Sequence, residues 1–245
     1  MAQRSNRERL DDLQIGGYRI WQDPALFCFG IDAVLLSAFV RVPEGARVCD
    51  LGTGNGVLLF LLAAKTQAAS LTGLELAARP AELAEKSIET NGLKGRVSVV
   101  RGDLCEASAI FGEACFDAVV SNPPYRKPSD GRVSPVPERA MARHEVAMTL
   151  RELVRETARI LKDDGSFFAV YPAMRREELE RELRAMGLSP VRVREVRSFP
   201  EKPAHLILLE AVKGSGACVT EAPLIIYDAQ GVYSAEVRAI YGGSV

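Results

Sequence analysis

Histidine is scarce in this 245-residue chain, with only His144 and His205. The five cysteines, Cys28, Cys49, Cys105, Cys115 and Cys218, are dispersed, and none forms a C-x-x-C pair. Structural and catalytic zinc sites draw on clusters of these residue types at short spacing, so no metal site is expected. Cys49 and Cys115 lie in or beside apolar runs, which fits small core residues in a reducing compartment. Net charge is also nearly absent: 31 Lys and Arg against 32 Asp and Glu leave −1. That excludes a global basic field, so any nucleic-acid contact must come from local patches. No apolar run approaches the length that spans a bilayer. Met1 to Arg7 is polar and basic with no apolar stretch behind it, which argues against a secretory leader. A cytoplasmic chain without membrane contact is the expectation.

What the chain does have is apolar content, 47%, enough for a sizeable core in one domain. From Arg47 to Leu209 short β-branched runs alternate with helical periods. Strands are expected over 48–51, 70–75, 97–100, 116–121 and 167–171, then 191–196 and 206–212. Helices are expected over 57–65, 79–90, 150–161 and 177–186, with Asn91-Gly92, Asp163-Asp164-Gly165 and Gly187 as stops. This βαβα order implies a doubly wound α/β fold with a mostly parallel sheet. The charged face Glu177 to Arg184 is read as solvated.

Three segments follow from this pattern. Residues 1–44 hold a hairpin and a helix: Tyr18-Arg19-Ile20-Trp21, a turn at Asp23-Pro24, Leu26-Phe27-Cys28-Phe29, then a helix from Asp32 to Val40. Residues 45–213 form the α/β domain. Residues 214–245 form a small extension with a strand at 224–227, a turn at 228–231 and a helix from Ser234. Trp21 is read as hairpin core or as a stacking platform. Asp32 is read as a helix N-cap or, with Phe29, as closing over a ligand. The proline-containing stretch 126–149 is expected to be a long loop, a common place for function.

Polar residues collect at successive strand ends. Asp50-Leu51-Gly52-Thr53-Gly54-Asn55-Gly56 joins the first strand to its helix, where glycines let the backbone turn tightly and approach a ligand. Glu75 ends the next strand, where a carboxylate can accept ribose hydroxyls. Asp103, followed by Leu104, comes after the third, where an acceptor can meet an adenine amine. A dinucleotide fingerprint reads G-x-G-x-x-G; here Val57 stands in place of the third glycine. Asp50 would also meet a pyrophosphate badly, whereas it suits a cationic or amine-bearing ligand. S-adenosyl-L-methionine, with a sulfonium, an α-amine and no phosphate, is therefore preferred to a nicotinamide dinucleotide.

The apolar run 116–121 ends in Asn122-Pro123-Pro124-Tyr125. The prolines fix φ and remove two donors, leaving nearby carbonyls free to accept. The Asn amide adds a donor and an acceptor, and Tyr125 offers a flat face. Together they suit an amino group on a planar system.

On these residues the chain resembles the seven-stranded, Rossmann-like S-adenosylmethionine-dependent methyltransferases that act on amines. The resemblance covers about residues 45–212. It implies that Asp50, Gly52, Thr53, Gly54, Asn55, Gly56, Glu75, Asp103, Leu104 and Asn122 bind the cofactor. It also implies that Asn122, Pro123, Pro124 and Tyr125 form the catalytic site. The flanks, Phe27 to Leu36 and Tyr227 to Val237, are similar to those of the bacterial tRNA1(Val) adenosine-37 N6-methyltransferase family, which implies a tRNA substrate. The release-factor glutamine N5-methyltransferases share the tetrapeptide and present the same planar NH₂, so that substrate stays open. A cofactor fold without turnover, serving only to bind nucleic acid, is disfavoured by the intact tetrapeptide.

The resemblance further implies direct in-line methyl transfer. Asn122 Oδ1 and the Pro123 carbonyl accept the two amine hydrogens, and Tyr125 stacks on the base. Beyond the tetrapeptide, Arg126, Lys127, Arg132, Arg139 and Arg143 outnumber Asp130 and Glu138. They are candidate RNA-phosphate contacts, with Arg4, Arg7 and Arg9 as possible additions; a plain solvated loop is the alternative. His144, in the same stretch, is read as structural rather than catalytic.

Overall fold

The structure is a computed structural model that describes residues 8–26, 28–123, 149–228 and 231–242. Two strands, β1 (Arg9–Asp12) and β2 (Arg19–Gln22), pair antiparallel as a separate hairpin. The main sheet contains β3 (Arg47–Leu51), β4 (Ser70–Glu75), β5 (Val97–Arg101), β6 (Phe116–Ser121), β7 (Leu161–Pro172), β8 (Leu188–Arg197), β9 (Leu206–Lys213) and β10 (Val219–Ile225). Their spatial order is β10-β8-β9-β7-β6-β3-β4-β5. Only β9 runs against the others. The chain order reverses between β3 and β6, and such a switch point opens a crevice at the carboxyl ends of the strands.

The helices are α1 (Ile31–Phe39), α2 (Val57–Lys65), α3 (Ala78–Thr90), α4 (Ala107–Phe111), α5 (Leu150–Ile160), α6 (Arg176–Ala185) and α7 (Ala235–Ile240). No helix among the described residues is long and apolar enough to cross a membrane.

Strand side chains alternate between two cores, as a period of two requires. Val48, Ala118, Val120, Phe168 and Val170 face one core, with α1 and α2. Cys49, Leu51, Val119, Phe167 and Ala169 face the other, with α5 and α6. Every residue of α2 from Val57 to Ala63 is buried, so its outer side also needs a cover. The two flanks supply it: Leu13, Ile20, α1 and, from the tail, Leu224, Ile226 and Val237 complete that core. Arg96 closes the C-terminus of α2, donating to the carbonyls of Ala63, Thr66 and Ala68 at 2.7–3.0 Å.

Several sequence expectations need correction. The N-terminal hairpin pairs 9–12 with 19–22, not 18–21 with 26–29. A left-handed turn at Gln14, Gly16 and Gly17 makes that connection possible, and Phe27 lies outside the described residues. Asp32 is not the N-cap of α1; Gly30 holds that position, and Asp32 lies in the first turn. The stop at 163–165 does not separate helix from strand. α5 ends at Ile160 and β7 begins at once, with Asp164 in the left-handed region inside the strand. The main sheet has eight strands rather than seven, because β10 adds to the edge of β8; it covers 219–225, not 224–227. The one-turn helix Leu104–Glu106 and α4 had no counterpart in the sequence reading.

Candidate active site

β3 ends in the glycine turn, and the turn is built around one buried carboxylate. Asp50 is 2% exposed and accepts from Thr53 Oγ1 at 2.7 Å. Burial pushes its carboxyl up to about 7, with the Thr53 hydrogen bond opposing and the nearby Glu75 charge adding to the rise. Beneath it, Gly73 of β4 is the register partner of Asp50. A Cβ at Gly73 would come within 2.5–2.8 Å of the Thr53 side chain. Only glycine allows this approach, so Gly73 is a site residue that the sequence reading missed. Its signal was a glycine inside a strand, which marks close contact.

The turn is tied to the next strand. Gly52 and Thr53 N–H donate to the Leu74 carbonyl at 2.9 and 3.1 Å. Glu75 accepts from Gly54 N–H at 2.8 Å and from Ala77 N–H at 2.9 Å, one on each oxygen. Each carboxylate oxygen retains further acceptor capacity. Gly54 has φ +58, and a Cβ at Gly52 or Gly54 would meet nothing within 4 Å. The turn therefore opens onto free space. Asn55 Nδ2 lies 3.5 Å from the Trp21 carbonyl, and Gly56 caps α2. Asp103 follows β5 and caps the one-turn helix, accepting from Cys105 N–H at 2.8 Å, with Leu104 beside it.

Asn122 is half-buried and Pro123 buried, directly after β6. The register pairs Asp50 with Val120, and Ser121 Oγ donates to the Leu51 carbonyl at 2.9 Å. Asn122 therefore follows alongside Gly52, on adjacent strands at the switch point. The structure brings together Asp50, the glycine turn, Glu75 and Asn122-Pro123, with Asp103 two strands out from the turn. Pro124, Tyr125, Arg126, Lys127, Arg132, Arg139, Arg143 and His144 lie outside the described residues, as do Arg4 and Arg7.

Trp21 is committed to α3. Its indole N–H donates to Thr90 Oγ1 at 2.9 Å, and Lys86 Nζ lies 3.4 Å from its ring centroid. Its ring lies against α3 and is not part of the hairpin core. Asp32 is raised by burial, with His205 opposing. A cavity of about 260 Å³, lined by Arg41, Pro43, Asp117, Lys162 and Asp164 among others, opens at the amino ends of β6 and β7. It is at the opposite end of the sheet from these strand-end groups and takes no part in the site.

A buried carboxylate pushed to about 7 beside an open glycine turn fits a cationic ligand better than a phosphate. The residues present thus fit a sulfonium-bearing nucleoside.

The family model described as methyltransferase small domain matches residues 17–187. A tRNA1(Val) (adenine(37)-N6)-methyltransferase of Porphyromonas gingivalis is 31% identical over 84% of this chain and 84% of its own. One of the same name from Parabacteroides distasonis is 29% identical over 93% and 94%. Among solved structures, Atu636 of Agrobacterium tumefaciens, described as a predicted O-methyltransferase, superposes with a TM-score of 0.71 at 22% identity. It covers 86% of this chain and 96% of its own. At that identity the likeness is one of fold. The chain belongs to the methyltransferase small domain family, on the branch that holds these tRNA1(Val) (adenine(37)-N6)-methyltransferases.

Proposed function

We propose that this chain methylates N6 of an adenosine in cytoplasmic tRNA, adenosine 37 of tRNA1(Val), using S-adenosyl-L-methionine. The observation that carries the reading is the adjacency of Asn122-Pro123 and the glycine turn on neighbouring strands at the switch point. The substrate follows the relatives, which are tRNA1(Val) (adenine(37)-N6)-methyltransferases.

When bound, the cofactor supplies an activated methyl group on a sulfonium. Asp50 and the turn Gly52 to Gly56 hold its amine-bearing end, Glu75 its ribose, and Asp103 with Leu104 its adenine. Asp50, near 7 when alone, becomes fully ionised beside a cation. Asn122 Oδ1 and the Pro123 carbonyl accept the two hydrogens of the target amine. They draw its nitrogen lone pair out of the ring and aim it, and the surplus proton leaves to solvent. Catalysis is then mainly positioning and electrostatics. Tyr125 stacks on the base, and Arg126, Lys127, Arg132, Arg139 and Arg143 hold phosphates.

The test offers labelled S-adenosylmethionine to total tRNA and, separately, to a release factor. Label in tRNA, recovered after digestion as N6-methyladenosine, is expected. Label in release-factor glutamine alone would replace this reading with the protein-methylating one.

A further inference from the structure

Along the carboxyl edge of the sheet the groups follow strand order: Asp103 beyond β5, Glu75 on β4, the glycine turn after β3, Asn122 after β6. The next strand, β7, ends in the one-turn helix Ala173–Arg175, which carries Met174. Ser121 pairs with Ala169, so Asn122 and Pro123 run beside Val170 and Tyr171. Met174 is 93% exposed, against 60% for Val219 and 40% for Leu76.

Single exposed apolar residues are ordinary. This one differs because its turn is held from both flanks. Ala173 N–H donates to the His205 carbonyl at 3.0 Å. Arg175 forks onto Glu178 at 2.8 and 3.0 Å, with its guanidinium 5.0 Å from the Tyr171 ring centroid. Arg176 donates to Glu180 at 2.6 Å. The neighbouring guanidiniums are thus engaged by carboxylates, and what the turn offers to a ligand is the apolar thioether chain. It does so on the turn that follows the strand next to Asn122, at the same edge of the sheet.

Resting on the functional reading above, we infer that Met174 is a substrate-positioning residue that enters the RNA base stack where the target adenosine has left it. An adenosine in a loop must leave its stack for N6 to reach the crevice. Its departure bares the faces of the neighbouring bases to water. An unbranched, polarisable side chain on a fixed turn can cover them, as apolar wedges do at unstacked steps.

The test uses the full chain and an anticodon stem-loop RNA. Met174→Ala and Met174→Gln are expected to lower kcat/KM for this RNA roughly two- to tenfold, the size of a lost sulfur–aromatic contact. Cofactor affinity stays unchanged, and Met174→Leu restores activity. With 2-aminopurine at the target position, the fluorescence rise on binding shrinks in the Ala and Gln variants. On an RNA lacking the neighbouring base the variants' deficit disappears. Wild-type activity on RNA with equal kcat/KM and fluorescence in Met174→Ala and Met174→Gln would overturn this inference alone. A wild-type chain that methylates no tRNA would overturn the functional reading and this inference with it.

Discussion

The cofactor half of the sheet and the tail half are stabilised by different kinds of contact. Around β3, β4 and β5 each functional group is fixed by a near neighbour in sequence. Asp50 is held by Thr53, Asp103 by the Cys105 N–H and Glu75 by the Ala77 N–H, each two or three residues away, with one longer tie from Gly54 to Glu75. Around β8, β9 and β10 the ties are long-range and ionic. Arg192 reaches Glu210 at 2.7 Å, Glu221 at 3.4 Å and the Phe39 carbonyl, 153 residues distant, at 2.7 Å. Arg194 forks onto Glu236 of α7. Chemistry is set by local turns, whereas the flanks, seated by apolar burial, are further tied by charges that meet only after folding.

The sharpest way to break this comparison is at the seam between the halves. Asn122→Ala should lose about 10²–10³ in turnover, as for removal of one preorganised polar group. Cofactor affinity, read by calorimetry, should fall far less than turnover, because the glycine turn, Glu75 and Asp103 still hold the cofactor. Next, Arg192→Ala should cost about 3 kcal/mol of stability in denaturant unfolding. Breaking a largely buried pair leaves carboxylates uncompensated, and the partial exposure of Glu221 keeps the cost at the lower end. Its cofactor affinity should stay near that of the wild type. Glu75→Ala should act in the opposite sense, weakening cofactor binding by about 1.5–3 kcal/mol, the worth of hydrogen bonds to a charged group, with turnover recovered at saturating cofactor.

The smallest effect is in pH. The raised Asp50 keeps its proton longer in the folded chain than in the unfolded one. Stability therefore falls as pH rises from the ordinary carboxylate range through about 7. A cationic ligand favours the ionised form, so cofactor affinity should rise with pH and level off above 7. Between pH 6 and 8 the gain should be about tenfold, and Asp50→Asn should flatten it. A pH-independent wild-type affinity would show that Asp50 does not face the cation.

The same contrast governs what the sequence made legible. The strand-end pattern could be read because Asp50 and Asn122 are each followed closely by glycine or proline, and Glu75 closes the next strand-like run after the glycine turn. The parallel core followed from the apolar runs 48–51, 116–121 and 167–171 alternating with helical periods. The true hairpin partner, Arg9–Asp12, escaped because four residues with a single apolar side chain, Leu10, carry almost no strand signal. β10 escaped as a sheet member because an exposed edge strand reads like a tail. Gly73 was visible as a residue but not as the floor under Thr53, since that contact depends on the register between β3 and β4. The Gly30 cap escaped because Asp32 has the commoner capping side chain, while the backbone turns two residues earlier.

The most direct test is a crystal of the full chain with S-adenosylhomocysteine and an adenosine-bearing anticodon loop. The expected result is an adenine N6 hydrogen-bonded to Asn122 Oδ1 and the Pro123 carbonyl. Its nitrogen should face the thioether sulfur across a gap that one methyl fills, with reacting atoms about 3–3.5 Å apart once that methyl is present. An Asn122 amide turned away from the base, or a sulfur too distant for a single methyl to cross, would contradict the account.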